Sequence, residues 1–292
     1  MGSLTDRRLM VAAGLRGRRR WRDPAERDRA RRAMDAVAGP AADLDRLARR
    51  HLARDEQRES FIARPALIPG MPADGAEHLR AAHEHRRGVI ASFCHHGPFP
   101  GVGISVAEQT GAPVHPVAGA WLAGPMSADL PERIRVWRAA YAAAGITPVD
   151  ATGSFSRLRT ILEDGEIITL AFDWPGTMPT TFLGRPVLMA TGTARLAHRT
   201  GALVVPTRRS LRRWRPRTVF APALDPRAHD DWEGLHRALA AVHEEWILED
   251  PAALEDPRRT GAWGAGAVAE GWSAEGAGLG SAVQAQPNPD AT

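Results

Sequence analysis

The chain has 292 residues, of which 43% are hydrophobic and 25% charged, with a formal charge of +4. That length and balance support a real core, in one large domain or one domain with appendages. All 38 Lys+Arg cations are arginine and Cys94 is the one cysteine, which excludes lysine Schiff-base chemistry, a P-loop lysine, an internal disulfide and a cysteine-based zinc cluster.

From the N-terminus, Arg7–Arg22 holds seven arginines among Leu9, Met10, Val11, Leu15 and Trp21. The pattern has two readings, a solvated basic tail or a helix lying on anionic lipid. No signal-peptide core or run of about 20 apolar residues is present, so the expected location is the cytosol, with the inner membrane face as its peripheral variant. Arginines alternate with nearly as many acids along the chain, so nucleic acid is not an expected partner. Asp23–Arg54 reads as two helices broken near Gly39-Pro40, and Ala73–Arg87 as another.

Val89–Cys94 is the first clear strand, and it stops on His95 and His96 before the Gly/Pro-rich turn GPFPG. A histidine at a strand end, where a turn opens into a helix, suits a catalytic base in an open α/β sheet. The next acid is as far off as Glu108, so neither imidazole has a local carboxylate. Beyond this point the pattern is strand Val114–Ala120, helix Pro131–Ala144, strand Thr147–Val149, helix Phe155–Glu163 and strand Glu166–Phe172. The Pro-, Gly- and Thr-rich stretch Trp174–Thr181 reads as a loop. Helix Gly192–Thr200 and strand Ala202–Pro206 repeat the alternation, Thr207–Leu211 and Arg217–Ala221 read as an antiparallel edge, and Asp230–Glu249 is a helix with one apolar face. Gly261–Thr292 reads as a disordered tail. The expected fold is a single α/β domain with a largely parallel central sheet flanked by helices, preceded by a helical segment.

The tract Thr147–Pro206 resembles the bacterial lipid A and phosphatidylinositol mannoside acyltransferases, a branch of the lysophospholipid acyltransferase superfamily. The residues carrying the resemblance are Arg157, Asp173, Phe182, Gly184, Pro186, Thr191, Gly192, Leu196, Ala197, Thr200, Gly201 and Pro206, and LHRALAAVHEEWILEDP is similar to the family's closing helix. The resemblance implies an acyltransferase-like domain over residues 23–260, between a basic tail at 1–22 and the tail at 261–292. It also implies a His-x4-Asp/Glu dyad, with His95 in the histidine position. Here the acid position holds Pro100 (or Gly101, counted from His96), and the family's loop glutamate is replaced by Pro179.

The expected activity is transfer of an acyl group from a CoA or carrier-protein thioester to a small polar acceptor, amine or hydroxyl, in secondary metabolism or in lipid acylation. No bound cofactor or metal is expected, and the acyl-CoA or acyl carrier protein acts as co-substrate. His95 is the candidate base and Asp173, at another strand end, the candidate orienter, with Asp150 behind it. His96, Arg157, Trp174, Arg185 and Arg195 are candidate substrate-binding residues, each arginine also readable as solvated surface and Trp174 as packing. Strand alternation turns Cys94 away from His95, so it reads as core. Thr191-Gly192 reads as a helix cap or an anion site. An imidazole without an acid partner favours a nitrogen nucleophile, because an alcohol proton is harder to remove. Two other function classes stand beside this one. The same histidine can serve thioester hydrolysis, cyclisation or condensation, or the chain can bind lipid or carrier protein without catalysis.

Overall fold

The computed structural model describes residues 4–38, 43–124, 130–212 and 215–256. Three helices come first, α1 (Leu4–Arg20), α2 (Pro24–Ala38) and α3 (Leu44–Ile62). The break read at Gly39-Pro40 and the tail at 261–292 lie outside the described residues. The arginine-rich N-terminal segment is a helix packed on the protein, with Met10 and Ala13 fully buried. Arg16 pairs with Glu56 at 3.0 Å and Arg20 with Asp55 at 2.7 Å, so two of its cations are answered from α3.

A strand–helix alternation follows. It runs β1 (Ala73–Asp74), α4 (Ala76–Glu84), β2 (Val89–Phe93), α5 (Val102–Thr110), β3 (Val114–Ala118), α6 (Ala120–Ala123), α7 (Glu132–Ala143), β4 (Val149–Asp150), α8 (Phe155–Glu163) and β5 (Ile167–Ala171). The hairpin β6 (Pro175–Phe182) and β7 (Arg185–Met189) comes next, then α9 (Gly192–Thr200), β8 (Leu203–Arg212), β9 (Arg215–Phe220) and α10 (Trp232–Glu249). The seven-stranded sheet has the order β1-β9-β8-β2-β5-β3-β4. Strands β8, β2, β5, β3 and β4 run parallel, and β9 turns back antiparallel on β8. This is the α/β class expected from the alternation.

The central strand β2 is apolar on both faces because helices cover both. Val89 and Ala91 join one core with α4, α5 and α7, whereas Ile90 and Cys94 join the other with α8, α9 and α10. Each fully buried aliphatic there contributes about 1.5–3 kcal/mol.

Two expectations change. Thr207–Leu211 is the continuation of Ala202–Pro206 in one long strand, and β9 is covered by β1 through Ala73↔Thr218 and Asp74↔Val219, so the antiparallel pair is not the sheet edge. The stretch Trp174–Thr181, expected as loop, is mostly strand β6. Its pairing with β7 closes through Leu183-Gly184, both at positive φ (52° and 70°), as a two-residue hairpin turn requires. The strained Leu183 is held by its amide, which donates to the Glu244 carboxylate of α10. That long-range contact is absent from local sequence pattern.

Candidate active site

Parallel pairing of β2 with β5 sets Phe93 against Ala171. Two residues beyond each strand end lie His95 and Asp173, so the register alone brings them side by side at the carboxyl edge of the sheet. The contact is double. The His95 backbone N–H donates to Asp173 Oδ2 at 2.8 Å, and its Nδ1 meets Asp173 Oδ1 at 2.8 Å. A carboxylate can only accept, so Nδ1–H is the donor, and in the neutral imidazole this tautomer leaves the lone pair on Nε2, the form a general base needs. Asp173 is buried while the His95 side chain retains 14% exposure. Asp150 is placed elsewhere, on edge strand β4, where its Oδ1 accepts the Thr152 N–H at 2.8 Å.

The turn after His95 is tied to the end of the described chain. The Glu255 amide donates to the His95 carbonyl at 2.8 Å, and the Gly97 amide to the Ala253 carbonyl at 2.8 Å. Gly97 has φ +64°, and a Cβ there would run into the Arg209 carbonyl, so both conformation and space require glycine. His96 turns the other way. It is buried, its Nε2–H donates to the Asp250 carbonyl at 2.9 Å, and burial lowers its pKa. It therefore holds the segment around Asp250 and, unlike His95, is not part of the wall of the cavity onto which His95 opens, where the substrate-binding role expected for it would place it. Cys94 lies in the core with α8, α9 and α10, its thiol pKa raised well above the ordinary value by burial and then by the Asp173 charge. A thiol so disposed is a packing group.

His95 opens onto a cavity of about 680 Å³. Phe99 packs on the imidazole at 4.6 Å between ring centres, and Trp174 and Phe93 stand 5.8 and 6.0 Å away. The inner wall is apolar, with Val102, Pro116, Val117, Ile134, Trp137 and Tyr141. The polar ends of the two aromatics are already used, since Trp137 Nε1–H donates to the Ile62 carbonyl and the Tyr141 hydroxyl to the Pro100 carbonyl. A compartment that asks for no hydrogen bonds suits an alkyl chain. Charged residues line it too: Arg58, Glu59, Arg133, Glu255 and Asp256. Gly192 and Thr193 at the start of α9 complete the wall, and the N-cap Thr191 makes no side-chain cap bond to that first turn. Of the two readings for Thr191-Gly192, the side-chain cap is not formed.

Of the other expected binding residues, Trp174 lines the cavity. Arg157 is exposed on α8, Arg185 reaches the Asp35 carbonyl at 3.2 Å, and Arg195 stacks on Trp232 at 4.5 Å, all outside the cavity wall. Pro100 does line it, whereas Pro179 is exposed on β6. Sequence reasoning missed Phe99, Trp137, Tyr141 and Arg58. The apolar HHGPFPG turn hinted at Phe99; the others arrive from helices remote in sequence.

The sheet thus has helices on both faces, a carboxylate-held histidine at its carboxyl edge and a cavity with an apolar inner wall beside that histidine. The model of the bacterial lipid A biosynthesis acyltransferase family matches residues 57–254, and the chain belongs to that family of acyltransferases. The crystal structure of the 1-acyl-sn-glycerophosphate (LPA) acyltransferase PlsC from Thermotoga maritima is similar at 13% identity and a TM-score of 0.42, covering 82% of this chain and 97% of that one. No curated protein matches in sequence. No helix among the described residues is long and apolar enough to cross a membrane.

Proposed function

We propose that the chain transfers an acyl group from a CoA or carrier-protein thioester to a small polar acceptor bearing an amine or hydroxyl. The observation that carries this reading is the 2.8 Å bond from His95 to Asp173 at the wall of a cavity whose inner part is apolar. The acyl chain occupies the compartment around Val102, Trp137 and Tyr141, and each buried methylene adds about 0.8 kcal/mol to binding. The thioester carbonyl then lies beside His95.

His95 Nε2 takes the proton of the acceptor as its oxygen or nitrogen attacks the carbonyl carbon. Asp173 remains ionised and stabilises the imidazolium, a task worth roughly 10²- to 10⁴-fold with the base it orients. Gly192 and Thr193 line the cavity, and in this reading the first-turn amides of α9 donate to the oxyanion. Collapse breaks the C–S bond, and the imidazolium returns its proton to the departing thiolate. In this reading Asp173, two residues beyond β5, does the work of the acid missing at Pro100, so the argument for a nitrogen acceptor loses its force. Hydroxyl and amine acceptors are both within its chemistry, and the family's association with lipid A biosynthesis adds weight to the hydroxyl.

The test is thiol release from acyl-CoA and acyl-carrier thioesters with pooled alcohols or amines, for wild type and His95→Ala. Acceptor-dependent release, lost by 10²-fold or more in the variant, supports transfer, with the acceptor gaining the acyl mass. Release without acceptor assigns hydrolysis or cyclisation to the same histidine. Equal rates in both proteins remove His95 from the mechanism.

A further inference from the structure

A second concavity, of about 970 Å³, is walled mainly by α3, with Arg18 and Trp21 from the end of α1 and Leu211 of β8, and its wall is strongly basic. Arg18, Arg46, Arg49, Arg50 and Arg54 line it, with Trp21 beneath Arg49 at 4.7 Å. Its five arginines outnumber its two acids. Asp43 accepts the Arg46 backbone N–H at 3.0 Å, and Asp45 pairs with Arg31 at 2.6 Å. Arg50 and Arg54 share the single carboxylate of Asp250, at 3.0 and 2.8 Å. Among the described residues Arg18, Arg46 and Arg49 form no ion pair, and the nearly buried Arg54 leaves its Nε–H without a partner. In a chain whose cations and acids almost balance, uncompensated charge concentrated in one concavity asks for an anion.

The groove is joined to the active-site cavity by one helix. Arg46, Arg50, Arg54 and Arg58 follow one another by four on α3, each neighbouring the next while the series winds about a third of a turn around the helix. Arg54 and Arg58 are largely covered and paired with Asp250 and Asp55. Arg58 lines the cavity beside His95. Twelve residues of helix span about 18 Å. That is of the order of an extended phosphopantetheine arm, whose one end is a thioester and whose other end is a phosphate.

We propose that this groove binds the phosphate end of the acyl donor, with the pantetheine arm following α3 to His95. The proposal rests on the acyl-transfer reading and deepens it. An anionic bilayer is the weaker occupant, because the charges line a concavity, whereas the exposed aliphatics of α1, Val11 and Leu15, lie outside its wall.

The experiment compares wild type with Arg46→Ala and Arg46→Ala/Arg49→Ala, using the full chain. Calorimetry with unacylated coenzyme A and with a phosphopantetheinylated carrier protein reads binding without turnover, and loss of a charge-assisted contact weakens it roughly tenfold per arginine. Coenzyme A weakened assigns a free nucleotide donor; only the carrier protein weakened assigns a protein-borne one. In turnover, the ratio of kcat/KM for acyl-CoA to that for an acyl-N-acetylcysteamine thioester, which has no phosphate, falls by the same factor. A merely structural role would lower both donors together. If wild type transfers no acyl group but coenzyme A binding still depends on Arg46 and Arg49, the site stands and the reaction class falls. Overturning results are affinities the substitutions leave unmoved, donors that fall in parallel, or phosphatidylglycerol vesicles as the one probe whose binding they weaken.

Discussion

His95 and His96 are adjacent in sequence and belong to different halves of the molecule. His95 continues the face of β2 that carries Val89, Ala91 and Phe93, and there the helices leave a cavity. His96 goes with Ile90, Ser92 and Cys94, over a face that α9 and α10 fill. On that side His243 lies against Phe172 at 5.1 Å and beside Ser92 Oγ at 3.4 Å, and burial lowers its pKa to about 3. The upper histidine is held by a carboxylate and keeps a free ring nitrogen. The lower ones are neutral hydrogen-bonding and packing groups. The chemistry of an imidazole here is set by which side of a pleat it leaves.

The sharpest way to break this contrast is Asp173→Asn. An amide cannot serve both the His95 amide and Nδ1 as an acceptor and offers the ring no charge, so kcat should fall roughly 10²- to 10⁴-fold while the fold persists. Steady-state rates with a circular dichroism check decide it, and an unaffected kcat would separate Asp173 from the reaction. On the lower face, His96→Ala should cost stability, about 1–3 kcal/mol, since the Asp250 carbonyl loses its donor. Denaturant midpoints measure this, and a kcat loss matching that of His95→Ala would abolish the distinction.

Acid should act on the lower histidines as well. The folded state holds His243 and His96 below their ordinary values, so it binds fewer protons than the unfolded chain. Their stabilising contribution is present above about pH 6.5 and is lost as pH falls toward their folded values, with a slope of up to ~1.4 kcal/mol per pH unit for each. Thermal melts between pH 7 and 4 should show it, and His243→Gln should flatten the curve. The smallest effect belongs to Cys94→Ala, which should cost about 1 kcal/mol and leave turnover standing. Substantial inactivation by that change would restore the thiol as a nucleophile.

Much of the architecture was legible. The strand ending on His95, the helices at Phe155–Glu163 and Gly192–Thr200, and the alternation between them follow from short apolar runs bounded by glycine. The hairpin at Pro175–Met189 was not legible, because its turn is Leu183-Gly184 rather than Asn-Gly and its strand is rich in residues that usually mark loops. The N-terminal arm was not legible either, since a basic amphipathic pattern does not say which surface it meets; in the structure Arg16 and Arg20 meet Glu56 and Asp55 of α3.

By itself the sequence determined that a histidine ends a strand, that no acid stands near it in the chain, and that Asp173 ends another strand. Tertiary structure decided that β2 and β5 are neighbours, in a register that puts His95 and Asp173 within one hydrogen bond. It also decided that Arg58 of α3 lines the cavity while Arg46, Arg50 and Arg54 of the same helix line the second concavity. The reason is physical: period and composition act locally along the chain, whereas partners 78 residues apart meet through strand order and register, which the packing of the whole core selects.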